Sequence, residues 1–511
     1  MTDWTSGYVA DIGYTYGYYN ELNPLRAELA FLHAGYKPPS QGIHCELGFG
    51  QGLSINIHAA ASGCEWYGND FNPSQAAFAK ELAQLSGAKL YLTDESFAEF
   101  CNRSDLPEFD SIGLHGIWSW ISDENRKQIA EFIQKKLKVG GAVYVSYNTL
   151  PGWANFAPMR HLMTQHANTM GSHGEGIVSR VNAGLEFAEK LLATEPLFGK
   201  VNPGISDRLQ KVKEQNRHYL AHEYFNKDWH PMYFSAMNEC LSPSKMTYVC
   251  SAHYLDHVDI INLNENQQKL LNQITDKTYK ETSRDFIVNQ QFRRDYWIKG
   301  PRKLSAQELN SKIQKIKLIL TVPLESINYK VNGALGEAKL NDNIYEPIVK
   351  LMSNYKVWNI ADICIALQKN NLISNQILQA LIILVGLSYV MPVQSDELID
   401  AAIESSKKLN SLIIEKSKEN GEITFLASPL TGGGIGVNRF QQLFLKCISD
   451  GKNEPSEWAN YVWSILAEQK QKIIKDGKAL QTSEENLNEL LAQAKKFQEV
   501  HKPILNALLI S

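Results

Sequence analysis

The chain lacks the marks of several large protein classes. Its seven cysteines (Cys45, Cys64, Cys101, Cys240, Cys250, Cys364 and Cys447) are scattered and contain no C-x-x-C pair. That argues against a zinc ribbon or a disulfide framework and fits a reducing cytoplasm. Neither sign of charge dominates: 51 basic against 55 acidic residues give a net charge of −4, so nothing draws the whole chain to nucleic acid or to an anionic membrane. No long apolar run is present. The most apolar stretch, Ile377 to Val390, is interrupted by Gln379 and Gly386 and is too short to span a bilayer. The opening residues Met1-Thr2-Asp3-Trp4 lack the apolar core of a signal peptide. These absences lead us to expect a soluble, cytoplasmic protein without membrane insertion.

Metal and phosphate motifs are missing too. His218 and His222, like His253 and His257, stand one helical turn apart but have no evident third ligand. His222-Glu223 lacks the second histidine of H-E-x-x-H, so no metal is expected. The glycines of Thr431–Gly436 fit neither G-x-G-x-x-G nor a phosphate loop. What remains is ordinary globular composition, 44% hydrophobic and 21% charged over 511 residues. At roughly 150 residues per domain, that length suits about three domains.

The informative stretch is Ile43-His44-Cys45-Glu46-Leu47-Gly48-Phe49-Gly50-Gln51-Gly52, a short strand ending in an acid and three alternating glycines. A small-residue helix follows, and then a second strand ending at Asp70. From 43 to 147 strand and helix patterns alternate, with strands expected at 43–47, 65–70, 88–92, 109–114 and 141–147. Helices are expected between them at 53–61, 73–85, 95–102 and 123–136, preceded by one from Pro24 to His33. Such alternation implies an α/β, doubly wound, Rossmann-like sheet with ligands at the carboxyl ends of its strands. Residues 155–240 read as mostly helical, and strands within Met246–Ser251 and Phe286–Ile298 are expected to return to the sheet edge. The chain after 301 reads as a separate, mainly helical domain. The expected units are therefore 1–165, 166–300 and 301–511.

A dinucleotide loop needs G-x-G-x-x-G so that a helix N-terminus meets pyrophosphate. The spacing here is E-x-G-x-G-x-G, at Glu46, Gly48, Gly50 and Gly52, which suits S-adenosylmethionine, a cofactor without phosphate. Glu46 is placed to favour its ammonium, Asp70 to accept both ribose hydroxyls, and Phe71 to lie beside the adenine. Asp94, with Glu95 and Ser96, is placed to accept from the adenine amino group; the alternative for Asp94 is an N-cap of the next helix. The tyrosines of residues 7–24 (Tyr8, Tyr14, Tyr16, Tyr18 and Tyr19) are either a packed surface arm or a lid over the cofactor.

The segments Leu114-His115-Gly116-Ile117-Trp118-Ser119-Trp120 and Val145-Ser146-Tyr147-Asn148-Thr149-Leu150-Pro151-Gly152-Trp153 are more specific. With Tyr219–Phe225 and Asn289–Asp295, they resemble the bacterial class I methyltransferases that carry a regulatory domain. Within that family the sequence is similar to the rickettsial protein-lysine methyltransferases of outer-membrane protein B. The resemblance implies S-adenosylmethionine as donor, S-adenosylhomocysteine as product, an outer-membrane protein as substrate and a homodimer. In this sequence Trp118 stands where the family often has Tyr, and Leu150 breaks its Tyr-Pro-Gly-Trp pattern.

Methyl transfer to an amine is an in-line displacement that requires alignment and a neutral acceptor. An apolar channel and the sulfonium charge both depress a lysine pKa from about 10.4, so no dedicated base is demanded. Candidate channel residues are Tyr14, Tyr16, Trp118 and Tyr147, with His115 and Asn148 as polar partners; His115 could instead neighbour the cofactor. The competing readings are a methyltransferase for a small molecule or RNA, and a non-catalytic cofactor-binding scaffold. Near-neutral charge weighs against nucleic acid.

Overall fold

The computed structural model describes residues 7, 8, 13, 15–171 and 175–510. Its centre is a seven-stranded sheet in the order β3-β2-β1-β4-β5-β7-β6. The strands are β1 (Ile43–Leu47), β2 (Glu65–Asn69), β3 (Leu90–Thr93), β4 (Phe109–Leu114), β5 (Leu137–Asn148), β6 (Met246–Ser251) and β7 (Phe292–Lys299). Strands β1 to β5 run parallel, whereas β7 inserts antiparallel between β5 and β6. The expected return of two later strands to the sheet edge is thus what the chain does. Phe286, however, belongs to the helix Lys277–Ile287, and the last strand begins only at Phe292.

The crossover helices are set by local capping chemistry. The helix α1 (Pro24–His33) starts where the Asn23 side chain accepts the Leu25 N–H, with proline at its first position. Helix α2 (Leu53–Ser62) follows the glycine loop, and α3 (Pro73–Ser86) is capped by Asn72. Helix α4 is shorter than expected, Phe97–Cys101, because Ser96 and Glu99 form a reciprocal capping box that starts it there. Ser122 caps α5 (Asp123–Lys136). Between β5 and β6 the chain makes a helical insertion, from Leu150–Trp153 to Phe234–Leu241.

The residues after 301 are mainly helical, as expected, but they also form a three-stranded sheet (Trp358–Asn359, Lys317–Leu320, Val390–Val393) and three two-stranded hairpins. They share cores with the first part of the chain. One cluster joins Leu22, Phe31 and Tyr144 to Leu318, Ile348 and Val385; another joins Leu53 and Ile57 to Leu409, Phe444 and Trp458. Helix α2 shows why: all ten of its residues are buried. Its alanines let the helix Asp396–Lys416 approach closely, and the Ser405 and Ser406 hydroxyls donate to the Ala60 carbonyl. Gln394 Nε2 donates to the Ala61 carbonyl at 2.9 Å.

Reversal of strand order between β1 and β4 leaves a crevice at their carboxyl ends, where open α/β sheets bind ligands. Enlarging Ala60 to leucine should therefore overpack the α2 interface and cost about 1–3 kcal/mol. A lowered denaturation midpoint checks this; an unchanged midpoint would show that the two parts are packed independently.

Candidate functional site

A cavity of about 1020 Å³ opens at that crevice. Its floor is the glycine loop after β1. Gly48, Gly50 and Gly52 all have left-handed φ angles, 69°, 60° and 70°. A Cβ at Gly48 would lie 2.5 Å from Ile117 Cδ1, and one at Gly52 2.4 Å from Ala79 Cβ. These glycines are thus required by backbone conformation and by the loop's own packing. The Asn69 carbonyl accepts the Gly48 and Phe49 N–H groups, at 2.8 and 3.2 Å, tying the loop to the end of β2.

Asp70 completes the tie. Its Oδ2 accepts the Gly50 N–H at 2.8 Å and its Oδ1 accepts the Asn72 N–H at 2.9 Å. A carboxylate offers about four acceptor sites, so two backbone donors leave capacity for a ligand. Burial pushes the Asp70 pKa up to about 6, although the Asn72 and Gly50 hydrogen bonds oppose the shift. Glu46, only 2% exposed, also lines the cavity. Burial, followed by the Asp70 charge, pushes its pKa up to about 8. Its Oε2 finds no hydrogen-bond partner among the described residues. A buried carboxylate oxygen left in this state is costly, and a cationic donor would relieve it.

The walls come from three further parts of the chain. Phe71, Ser96 and Phe97 line one side, with Tyr8 edge-on to Phe71 at 5.6 Å. On another side Tyr19 stacks on His115, ring centroids 3.5 Å apart, while His115 Nδ1 lies 2.8 Å from the Tyr144 hydroxyl. Burial pushes the His115 pKa down to about 4, leaving a neutral imidazole at physiological pH. The helix Arg217–Tyr224 of the insertion supplies Tyr219, His222 and Glu223, and β7 supplies Phe292. Burial first, and then carboxylates that include Asp70, Glu46 and Glu223, push the Tyr8, Tyr19 and Tyr219 phenols upward, so all three stay protonated.

The expected site residues divide accordingly. Glu46, Gly48, Gly50, Gly52, Asp70, Phe71, Ser96, His115 and Asn148 line the cavity. Asp94 does not: its carboxylate turns outward to Lys80 at 2.7 Å, an ion pair that holds its pKa below the usual range. Nor does it cap a helix, since Ser96 does. The Glu95 side chain pairs with Arg103 at 3.2 Å, and only its backbone serves the site, accepting from Asn69 Nδ2 at 2.9 Å. Trp118 is fully buried in the core under β4 and β5, its carbonyl accepting from Arg126. The 3-10 turn Trp118–Trp120 instead brings Trp120 to the cavity. Tyr147 points away along β5 and donates to Asp295 at 2.8 Å, while Asn148, next in the strand's alternation, faces the cavity. Tyr16 packs edge-on against Phe78 at 5.2 Å, outside the cavity lining. Tyr14 lies outside the described residues. Among those residues no group of three His, Cys, Asp or Glu is arranged to hold a metal, and no helix is long and apolar enough to cross a membrane.

Sequence reasoning assigned no role to Glu223, Tyr219 and Trp120, although all three lie in the segments that carry the family resemblance. Helical spacing was the available signal: Tyr219 and Glu223 are four residues apart and share a face.

Comparison with known proteins agrees with this architecture. A family model described as a predicted methyltransferase regulatory domain matches residues 216–299. The chain is 40% identical over 513 residues to the uncharacterized protein sll1526 of Synechocystis sp., covering 99% of this chain and 100% of that one. It is 23% identical over 448 residues to the uncharacterized protein RP789 of Rickettsia prowazekii, covering 80% and 77%. The structure of PKMT2 from Rickettsia typhi in complex with AdoHcy matches with a TM-score of 0.67 at 16% identity, covering 96% of this chain and 99% of that one. The fold is that of a class I methyltransferase with a regulatory domain. The chain belongs to the same family as sll1526.

Trp118→Ala should act through the core and cost about 3–5 kcal/mol of stability. Denaturant unfolding checks this; full stability with selective loss of acceptor turnover would return Trp118 to the site.

Proposed function

We propose that the cavity binds S-adenosylmethionine and that the chain methylates lysine side chains of a protein. The observation that carries the first half is the orphaned, buried Glu46 Oε2 beside a loop held by Asp70. Glu46 would hold the cofactor's ammonium, the remaining acceptor sites of Asp70 its ribose hydroxyls, and Phe71 with Ser96 its adenine. When bound, S-adenosylmethionine supplies a methyl group on a sulfonium centre. The chain's own residues orient the two reactants and keep water away.

For the acceptor, Glu223 favours an incoming ammonium electrostatically, and the rings of Tyr8, Tyr19 and Tyr219 offer cation–π faces. Neutral His115 adds no repelling charge. A protein substrate is further supported by likeness to rickettsial PKMT2 along nearly the whole chain, 96% of it. The sequence resemblance extends the proposal to an outer-membrane protein as substrate, to a homodimer and to a cytoplasmic setting.

Both halves are testable. Without ligand, Glu46 titrates near pH 8, so it is mostly protonated at pH 7. An ammonium beside it favours the ionised form, so binding should release roughly one proton at pH 7 and tighten by up to about tenfold per unit between pH 6 and 8. Calorimetry in buffers of different ionisation enthalpy checks this. Proton release should vanish in Glu46→Gln, and its persistence would remove Glu46 from the ammonium site. Glu223→Gln should raise KM for a lysine acceptor by about 10–100-fold, the worth of a charge-assisted hydrogen bond. Affinity for S-adenosylhomocysteine should hold; an unchanged KM would remove Glu223 from the acceptor side.

A further inference from the structure

A second cavity, of about 490 Å³, lies on the other side of β7 from the first. It is enclosed by β6, β7, the helix Lys277–Ile287 and the hairpin formed by Lys330–Gly333 and Gly336–Lys339. Its chemistry is strongly polar. Arg293 donates to three carboxylates at once: Glu281 at 2.9 Å, Asp285 at 2.6 Å and Asp295 at 2.9 Å. The neighbouring Arg284 does not balance them, because it pairs with Asp259 and the Asp256 carbonyl. A fourth acid, Asp256, accepts from the Ser251 hydroxyl at 2.7 Å. His253 and His257, also in the lining, are held neutral by burial.

One guanidinium among three carboxylates leaves an excess of buried negative charge, which is expensive unless something offsets it. The strain falls on Asp285. It is 2% exposed, its Oδ1 is taken by Arg293, and its Oδ2 has no partner among the described residues. Burial pushes its pKa up to about 7 despite the guanidinium, so a proton partly offsets the charge when no cation is beside it. A metal ion fits poorly, since no metal-holding group of acids and histidines exists among the described residues. What fits is a compact multi-donor cation with an organic body that occupies the rest of the space.

We propose that this cavity is a second ligand site, which binds a small organic ammonium ion through Asp285 Oδ2. The site is distinct from the methyl-transfer cavity, yet the two share a strand: Gln291 and Phe292 line one, and Arg293 and Asp295 line the other. Tyr147, beside cavity-lining Asn148, donates from β5 to Asp295 on β7. The proposal does not depend on the lysine reading of the first cavity.

Putrescine is a suitable probe, titrated calorimetrically into the full chain saturated with S-adenosylhomocysteine to occupy the first cavity. The expected result is saturable binding at one site, absent with potassium chloride at the same ionic strength. Asp285→Asn should weaken binding at least tenfold. Glu281→Gln, which removes one charge at the cavity wall and keeps the side chain's volume, should weaken it at least threefold and decides the matter if the first variant does not fold. Absence of putrescine binding, binding reproduced by salt, or unchanged affinity in a folded variant would each overturn the proposal.

Discussion

The site depends on one carboxylate doing two jobs. Asp70 sits at the end of β2 and grips the glycine loop after β1 through the Gly50 N–H, while its other oxygen fixes the start of α3 through the Asn72 N–H. Without that tie, three alternating left-handed glycines would be free to wander, since glycine gains little from any one conformation. With it, the loop is held against Ile117 and Ala79, and the Glu46 carboxylate is left facing a cavity with an unused oxygen. Burial raises the cost of ionising both acids, and the Asp70 charge adds to that of Glu46. The result is a site whose protonation state is poised to respond to a cation.

Around that centre the rest of the chain supplies enclosure. The sheet alone would leave the crevice open on the side away from β2. The helical insertion after β5 covers it with Tyr219, His222 and Glu223, and the amino-terminal arm contributes Tyr8 and Tyr19. Among the described residues none after 301 lines the cavity, but they fix its scaffold by burying the face of α2 that carries Leu53, Ile57 and Ala60, while Ile55 and Ala59 pack toward Phe49 and Trp66. A helix rich in alanine has little side-chain volume with which to build a core, so it relies on close neighbours on both faces. That dependence explains why the carboxyl-terminal region is packed into the fold rather than attached to it.

Much of this was legible in the sequence, and the exceptions have physical reasons. Strands at Ile43–Leu47, Phe109–Leu114 and Met246–Ser251 and helices at Pro24–His33 and Asp123–Lys136 fall where periodicity and capping residues put them. The acid and glycine spacing located the cavity. It could not show that Asp94 would be captured by Lys80 from α3, because that partner is fourteen residues away and the choice is tertiary. Trp118 and Trp120 differ only in which side of a short 3-10 turn they occupy, and no sequence pattern separates them. Tyr147 and Asn148 could have been separated by strand alternation, since neighbours in β5 face opposite sides. Glu223 was weighed only against a metal motif, because its place in the cavity lining comes from the packing of its helix over the crevice, which is tertiary.

One cavity, as we propose, brings a methyl donor to a lysine acceptor. This is tested most directly by incubating the full chain with trideuteromethyl-labelled S-adenosylmethionine and a candidate outer-membrane protein, an RNA pool and a small-molecule extract, each analysed by mass spectrometry. The expected result is labelled methyl groups on lysine side chains of the protein, lost in Asp70→Ala. Label confined to RNA or to small molecules, or lysine methylation that survives in Asp70→Ala, would contradict it.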